Sequence, residues 1–256
     1  MSDDTKIGGP AQRFPTTRWS AIVAARSEDP DERRRAFETL IAAYWKPVYK
    51  YIRTRWGKSN EDAKDLTQEF FARVMEKDFL ESYDPAKARL RTFLRVCVDG
   101  LVANEEKAAR RLKRGGDAQI LSLEFETAEG ELKRVEPPTR EGIEEFFEKE
   151  FVRSLFTLAV EQLRAECEAR AKRTHFRLFE LYDLEEHPED PGTSKRKLSY
   201  EQLAVDFGLA VTDVTNYLAY ARREFRRIAL DKLREMSGSA EEFRREARAL
   251  LGVDTE

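Results

Sequence analysis

Two cysteines and two histidines in 256 residues leave little room for metal or thiol chemistry. Cys97 and Cys167 stand far apart in helical patterns, which excludes a disulfide framework or a CxxC site, and both read as buried thiols. His175 and His187 lack cysteine or carboxylate neighbours at metal-ligand spacing, so neither a metal nor another cofactor is expected. Gly115-Gly116 is not followed by a lysine-threonine pair, and no Walker or dinucleotide loop is present. No serine stands in a nucleophile elbow. Catalysis by this chain alone is therefore not expected. No apolar run approaches the ~18 residues that span a membrane. Met1-Ser2-Asp3-Asp4 lacks the positive and apolar regions of a signal peptide, so a cytoplasmic location is expected.

A basic excess is missing too. Lysine and arginine number 46 against 49 acidic residues, a formal net charge of −3. DNA would weakly repel the molecule as a whole, so any contact must come from local basic patches or from a partner that supplies positive charge. What is present is a composition 37% charged and 41% hydrophobic with 12 glycines. That describes a soluble helical protein holding one large domain or two small ones.

Helical periodicity runs through most of the chain. Thr17 caps a short helix through Arg26, and Asp29-Pro30 opens the next, proline being favoured in a first turn. Phe37, Leu40, Ile41, Tyr44, Val48, Tyr51 and Ile52 mark its buried stripe, Pro47 should kink it, and Gly57 ends it. Ser59 with Asp62 forms a capping box before a ridge of Leu66, Phe70 and Val74. Tyr83-Asp84-Pro85 is a turn. A long helix follows from Leu90 to Arg111, tolerating Gly100 and ending in Lys107, Arg110 and Arg111. Leu121, Leu123 and Phe125 alternate with polar residues, as in a short strand or extended segment. Pro137-Pro138 is a break, Ile143 to about Tyr182 is helical, and Ala240–Leu251 is a last amphipathic helix.

Leu198–Arg227 carries the most informative pattern. Ser199 and Gln202 form a capping box with Leu198 and Leu203 as a staple, and Gly208 suits a left-handed C′ position. Thr212 would cap a second helix on which Val214 and Leu218 face inward. Short helix, three-residue turn and a longer helix bearing Arg222, Arg223, Arg226 and Arg227 is the order of parts in DNA-reading modules.

Asp62-Ala63-Lys64-Asp65-Leu66-Thr67-Gln68-Glu69-Phe70-Phe71, then Tyr83-Asp84-Pro85, Leu90-Arg91-Thr92-Phe93-Leu94 and Leu198–Arg227 resemble, in that order, the extracytoplasmic-function sigma factors of bacterial RNA polymerase. The resemblance covers roughly two-thirds of the chain. It implies an all-α fold of two helical domains, one sigma domain 2-like and one sigma domain 4-like. Residues 1–30 would be an extension, 31–114 the polymerase and −10 domain, 115–142 a linker, and 143–256 the −35 domain with its C-terminal helix. Core RNA polymerase and promoter DNA would be the partners, with a Ser/Thr kinase or an anti-sigma factor as further candidates and a monomer when free.

The acidic stripe Asp62, Asp65 and Glu69, with Gln68, would face the polymerase. A solvated helix face gives the same pattern. Arg89, Arg91 and Arg95 around Phe93 suit stacking with unpaired bases. Phe93 equally suits a core position at i, i+4 to Cys97. By resemblance they contact the −10 element together with Asn104, Lys107, Arg110 and Arg111. Thr212, Thr215, Asn216, Tyr217, Arg222 and Arg223 would meet the −35 element. Three departures stand out: Lys64 within the acidic run, Asp99-Gly100 where Arg-Asn is common, and Thr215, Tyr217 and Tyr220 at positions often basic.

Lys64 with Thr67 at i+3 suggests a phosphorylation switch, the added charge restoring the acidic face. The alternative is an unmodified surface threonine. Two rivals for the whole chain remain: a stand-alone helix-turn-helix regulator, and a sigma-like adaptor without promoter recognition.

Overall fold

The computed structural model describes residues 21–76, 79–109, 123–134, 142–185 and 198–253, without the side chains of 106–109. The architecture is all-α, with no strand among the described residues. Helix α1 is Ala21–Ala24 and α2 is Pro30–Arg55. The Asp29 carboxylate accepts from the Asp31 N–H while Pro30 occupies the first turn, where its missing N–H costs nothing. Pro47 is accommodated inside α2, which continues to Arg55. Trp56 and the left-handed Gly57 (φ 59°) end it.

Ser59 caps α3 (Asn60–Val74) through the Asp62 N–H at 3.1 Å. A short 3₁₀ turn at Leu80–Ser82 leads to Tyr83, and α4 runs Leu90–Ala109. The extended segment expected at Leu121–Phe125 is not formed in its described part. Phe125 instead opens α5 (Phe125–Leu132), burying Phe125 and Ala128 one turn apart. Next come α6 (Ile143–Ala169), α7 (Arg173–Phe179), a π-turn at Glu180–Leu184, α8 (Tyr200–Phe207), α9 (Val211–Glu235) and α10 (Ala240–Leu251). Thr17, His187, Pro137 and Pro138 lie outside the described residues.

Two apolar cores organise these helices. The first gathers α1–α5 around α2, with the N-terminal half of α6, the end of α9, and Phe243 and Ala247 of α10. Tyr44, Tyr51, Phe70, Phe71, Phe147 and Phe151 are fully buried there, and Tyr44 stacks on Phe151 at 5.0 Å between ring centroids. Each such side chain contributes about 1.5–3 kcal/mol of hydrophobic stabilisation. The second core joins Ala159, Leu163 and Cys167 of α6 to α7, Leu203, Val214, Leu218 and Ile228. Helix α6 therefore starts in one core and ends in the other, and α9 does the same in reverse order.

The first core is flanked by buried charge. Lys50 sits between Glu150 at 2.6 Å and Glu131 at 2.7 Å, and Arg53 forks onto Glu129. Helix α5 thus anchors to α2 through carboxylates. The Arg53 guanidinium and the Tyr49 hydroxyl hold the Glu129 carboxyl down at about 2.

Candidate polymerase and nucleic-acid interface

Helix α3 buries one face and presents another. Ala63, Leu66, Thr67, Phe70, Phe71 and Val74 are buried, while Asp62 and Asp65 are exposed. Glu69 pairs with Arg73, Lys64 pairs with Glu61 at 3.0 Å, and Gln68 is half-buried. Asp62 accepts from the Ser59 hydroxyl at 2.8 Å, leaving Asp65 as an outward carboxylate with no ion pair among the described residues.

Thr67 corrects the surface-switch expectation. Its side chain is 0% exposed, and its hydroxyl donates to the Ala63 carbonyl at 2.7 Å. It shares the buried arc of Phe70, Phe71 and Val74 at i+3, i+4 and i+7, so neither a kinase nor Lys64 reaches it in this fold.

The start of α4 also differs from a free basic-aromatic patch. Arg91 is 4% exposed and ion-paired with Glu246 and Glu148. Arg89 Nε lies 2.9 Å from Glu246 Oε1, and Arg95 pairs with Glu144 at 2.8 Å. Phe93 is half-buried, against Phe79 at 5.8 Å and Tyr83 at 5.3 Å. Its partners are therefore these rings. Burial would lower the charge state of Arg91, but Glu148 and Glu246 raise its pKa above the ordinary arginine value. Asn104 is exposed. The side chain of Lys107, and Arg110 and Arg111 altogether, lie outside the described residues.

Asp99 has a structural role. It accepts from the Tyr51 hydroxyl at 3.0 Å and from the Trp56 indole N–H at 3.0 Å, which ties α4 to the end of α2. Gly100 is exposed on the same helix.

The helices that hold these side chains have a known counterpart. Residues 40–114 match Sigma-70 region 2. The match runs from within α2 through α3 and the Tyr83 turn to beyond α4. No curated protein and no solved structure matches the chain. The acidic face of α3 and the Arg89–Arg95 stretch both fall inside this region 2 module. The α8–α9 unit lies outside it.

The first helix of that second unit begins and ends at the residues its signals mark, although the Gln202 side chain bonds Asp206 and does not close a capping box. Ser199 accepts from the Gln202 N–H at 3.1 Å, and Gly208 adopts φ 64° before α9. A residue with a Cβ is strained at that backbone conformation. The expected cap at Thr212 is not formed: Ala210 is the N-cap and Thr212 lies within the first turn. Thr212, Thr215 and Asn216 are exposed along the start of α9, and Val214 and Leu218 are fully buried behind them.

Its cations are largely engaged within the chain. Arg222 forks onto Asp183 at 2.8 and 2.9 Å, which raises its pKa. Arg227 pairs with Glu166, Glu224 and Asp231. Arg223 is exposed, 3.5 Å from Glu224 and over the Tyr220 ring. Tyr217 stacks on His175 at 3.8 Å, and burial beside Lys172 lowers the His175 pKa. Among the described residues no helix is long and apolar enough to cross a membrane.

Proposed function

We propose that this chain is a sigma-type transcription initiation factor. Its region 2 module docks on core RNA polymerase and engages the −10 element, while α8–α9 contacts the −35 element. The observation that carries this reading is the match of residues 40–114 to Sigma-70 region 2, with the Asp62–Asp65 face of α3 turned outward. An exposed acidic face suits a basic protein partner and repels DNA. The polymerase is the enzyme, and this chain supplies positioning and captures the melted strand. Arg89, Arg91, Phe93, Arg95 and Asn104 are the −10 residues of this reading. Thr212, Thr215, Asn216, Tyr217, Arg222 and Arg223 are those for the −35 element.

The direct test titrates the purified, unmodified protein against bacterial core RNA polymerase at fixed salt. Binding is expected, and reversing charge with Asp62→Lys and Asp65→Lys weakens it at least about tenfold, the effect of losing roughly 1.4 kcal/mol of complementary charge. No binding by the folded wild-type chain refutes the reading.

A second reading has its own support. Arg222 and Arg227 are spent on intramolecular ion pairs, leaving Arg223 and Arg226 of that stretch, both exposed, for phosphate. An adaptor that binds polymerase without opening promoters fits that reduced supply. Reactivity of unpaired thymines in promoter DNA separates the two: the initiation factor exposes them and the adaptor does not.

A further inference from the structure

Helix α10 lies outside the region 2 match, yet it closes over the start of α4. Ser239 caps it, and Glu242 follows in its first turn. Glu242 Oε1 accepts from the Leu90 N–H at 3.0 Å, and Oε2 accepts from the Tyr83 hydroxyl at 2.9 Å and the Gly238 N–H at 2.7 Å. One turn on, Glu246 pairs with both Arg89 and Arg91. The two glutamates are 4% and 2% exposed. Gly238 fits because it has no side chain, since a Cβ there would stand 2.7 Å from the Tyr83 ring.

The receiving groups are a helix-start N–H, a phenol hydroxyl and two guanidinium groups, that of Arg91 lying over the Phe151 ring. Those donors bind phosphate oxygens, and cations interleaved with aromatic rings suit a single strand. We propose that α10 is an intramolecular occupant of a phosphate-binding site. Glu242 and Glu246 take the places of backbone phosphates at the start of α4, and single-stranded DNA displaces the helix when it binds. The inference rests on the sigma-type reading above and adds the regulation of its −10 face.

Displacement is physically accessible. Burying a carboxylate and a guanidinium together costs desolvation that offsets much of their attraction, so these pairs hold α10 less firmly than their number suggests. Its apolar anchorage is small: Phe243 and Ala247 buried, Leu250 partly so on the first core and Leu251 on the second. Met236, Ser237, Gly238 and Ser239 separate it from α9, and a swing also releases Gly238 from its packing against Tyr83 and Pro85. A phosphate strand offers the same donors the charge that the two carboxylates now offer, while Glu148 stays paired with Arg91.

The test uses the full chain and a fluorescein-labelled, mixed-sequence single-stranded DNA of about 12 nucleotides, within the span such sites cover. Fluorescence anisotropy compares wild type with Glu242→Gln/Glu246→Gln and with a control, Glu241→Gln/Glu126→Gln, that removes equal charge from exposed positions. The α10 variant is expected to bind at least about tenfold tighter than wild type, as when a site closed ten parts in eleven is opened. Adding Arg91→Gln should abolish the gain. Equal affinity in wild type and variant overturns the inference and leaves the sigma-type reading intact. Equal gains in variant and control overturn it as well, by making the effect one of net charge. Binding by neither chain overturns it and takes the −10 contact with it, while the polymerase titration still judges docking.

A second measurement needs no substitution. Hydrogen exchange at the amides of residues 242–247 should accelerate when the DNA is added to wild type, and unchanged protection with DNA bound overturns the proposal.

Discussion

Replacing Thr67 with aspartate separates a buried threonine from a surface switch. The wild-type side chain is 0% exposed with its hydroxyl bonded to Ala63, and no cation in that arc of α3 is placed to receive a carboxylate. An uncompensated buried charge costs about 3–5 kcal/mol. The variant would escape part of this by holding its proton, and ~4 kcal/mol corresponds to about three pKa units.

The sign follows. The unfolded aspartate ionises near 4, the folded one only near 7, so the unfolded state loses its proton first as pH rises. The deficit against wild type is therefore smallest near pH 4 and grows to its full size by about pH 7. At roughly 2.1 cal/mol/K per residue, 256 residues unfolding together have an entropy near 0.5 kcal/mol/K. The melting temperature at pH 7 should then fall by about 7–8 °C. Thr67→Val, which keeps the shape and loses one local hydrogen bond, should cost under ~1 kcal/mol. Calorimetry of the three proteins at pH 4 and pH 7 decides. A Thr67→Asp protein that melts within about 1 °C of wild type at pH 7 refutes the burial argument, the mutational shift being then far below that of a buried charge.

Two further outcomes follow from the charges around α2. Lys50→Ala removes one of the two cations on Glu150, 2% exposed, leaves it only the exposed Arg153, and should cost about 2–3 kcal/mol by urea unfolding, with Lys50→Met/Glu150→Gln recovering most of it. Glu129 is depressed from 4.5 to about 2, chiefly by its hydrogen bonds from Arg53. The stability it supplies is complete above about pH 4.5 and lost as pH falls towards 2, and Arg53→Gln should flatten that part of the stability–pH curve.

The helices and their ends were legible because their signals are local. Asp29-Pro30, Ser59-Asp62 and Ser199-Gln202 name their own caps, and Gly57 and Gly208 take the left-handed backbone that only glycine adopts freely. Thr67 was misjudged because Leu66, Phe70 and Val74 already made a sufficient ridge. The Phe70-Phe71 pair was the signal that the buried arc was wider and included it. Leu121–Phe125 alternated over too few residues to outweigh the helix that Phe125 begins.

The surroundings of the Arg89–Arg95 stretch were illegible for a different reason. Periodicity tells which face of Ala240–Leu251 is covered, never by what, and its partner Leu90–Arg91 lies about 150 positions earlier in the chain. Arg89 and Arg91 looked free because their carboxylates arrive from α6 and α10. Asp99 looked anomalous for the same reason, since its donors Tyr51 and Trp56 sit on another helix.

Helix α6 is 27 residues long, about 40 Å at 1.5 Å per residue, with its two ends sunk in different cores. Domains on a tether melt one at a time and wander independently. Here the melting of either core strips packing from half of a rod that the other core needs. The two halves of this molecule are expected to share one fate, a single cooperative transition, with a distance between them set by the length of a helix instead of by the slack in a chain.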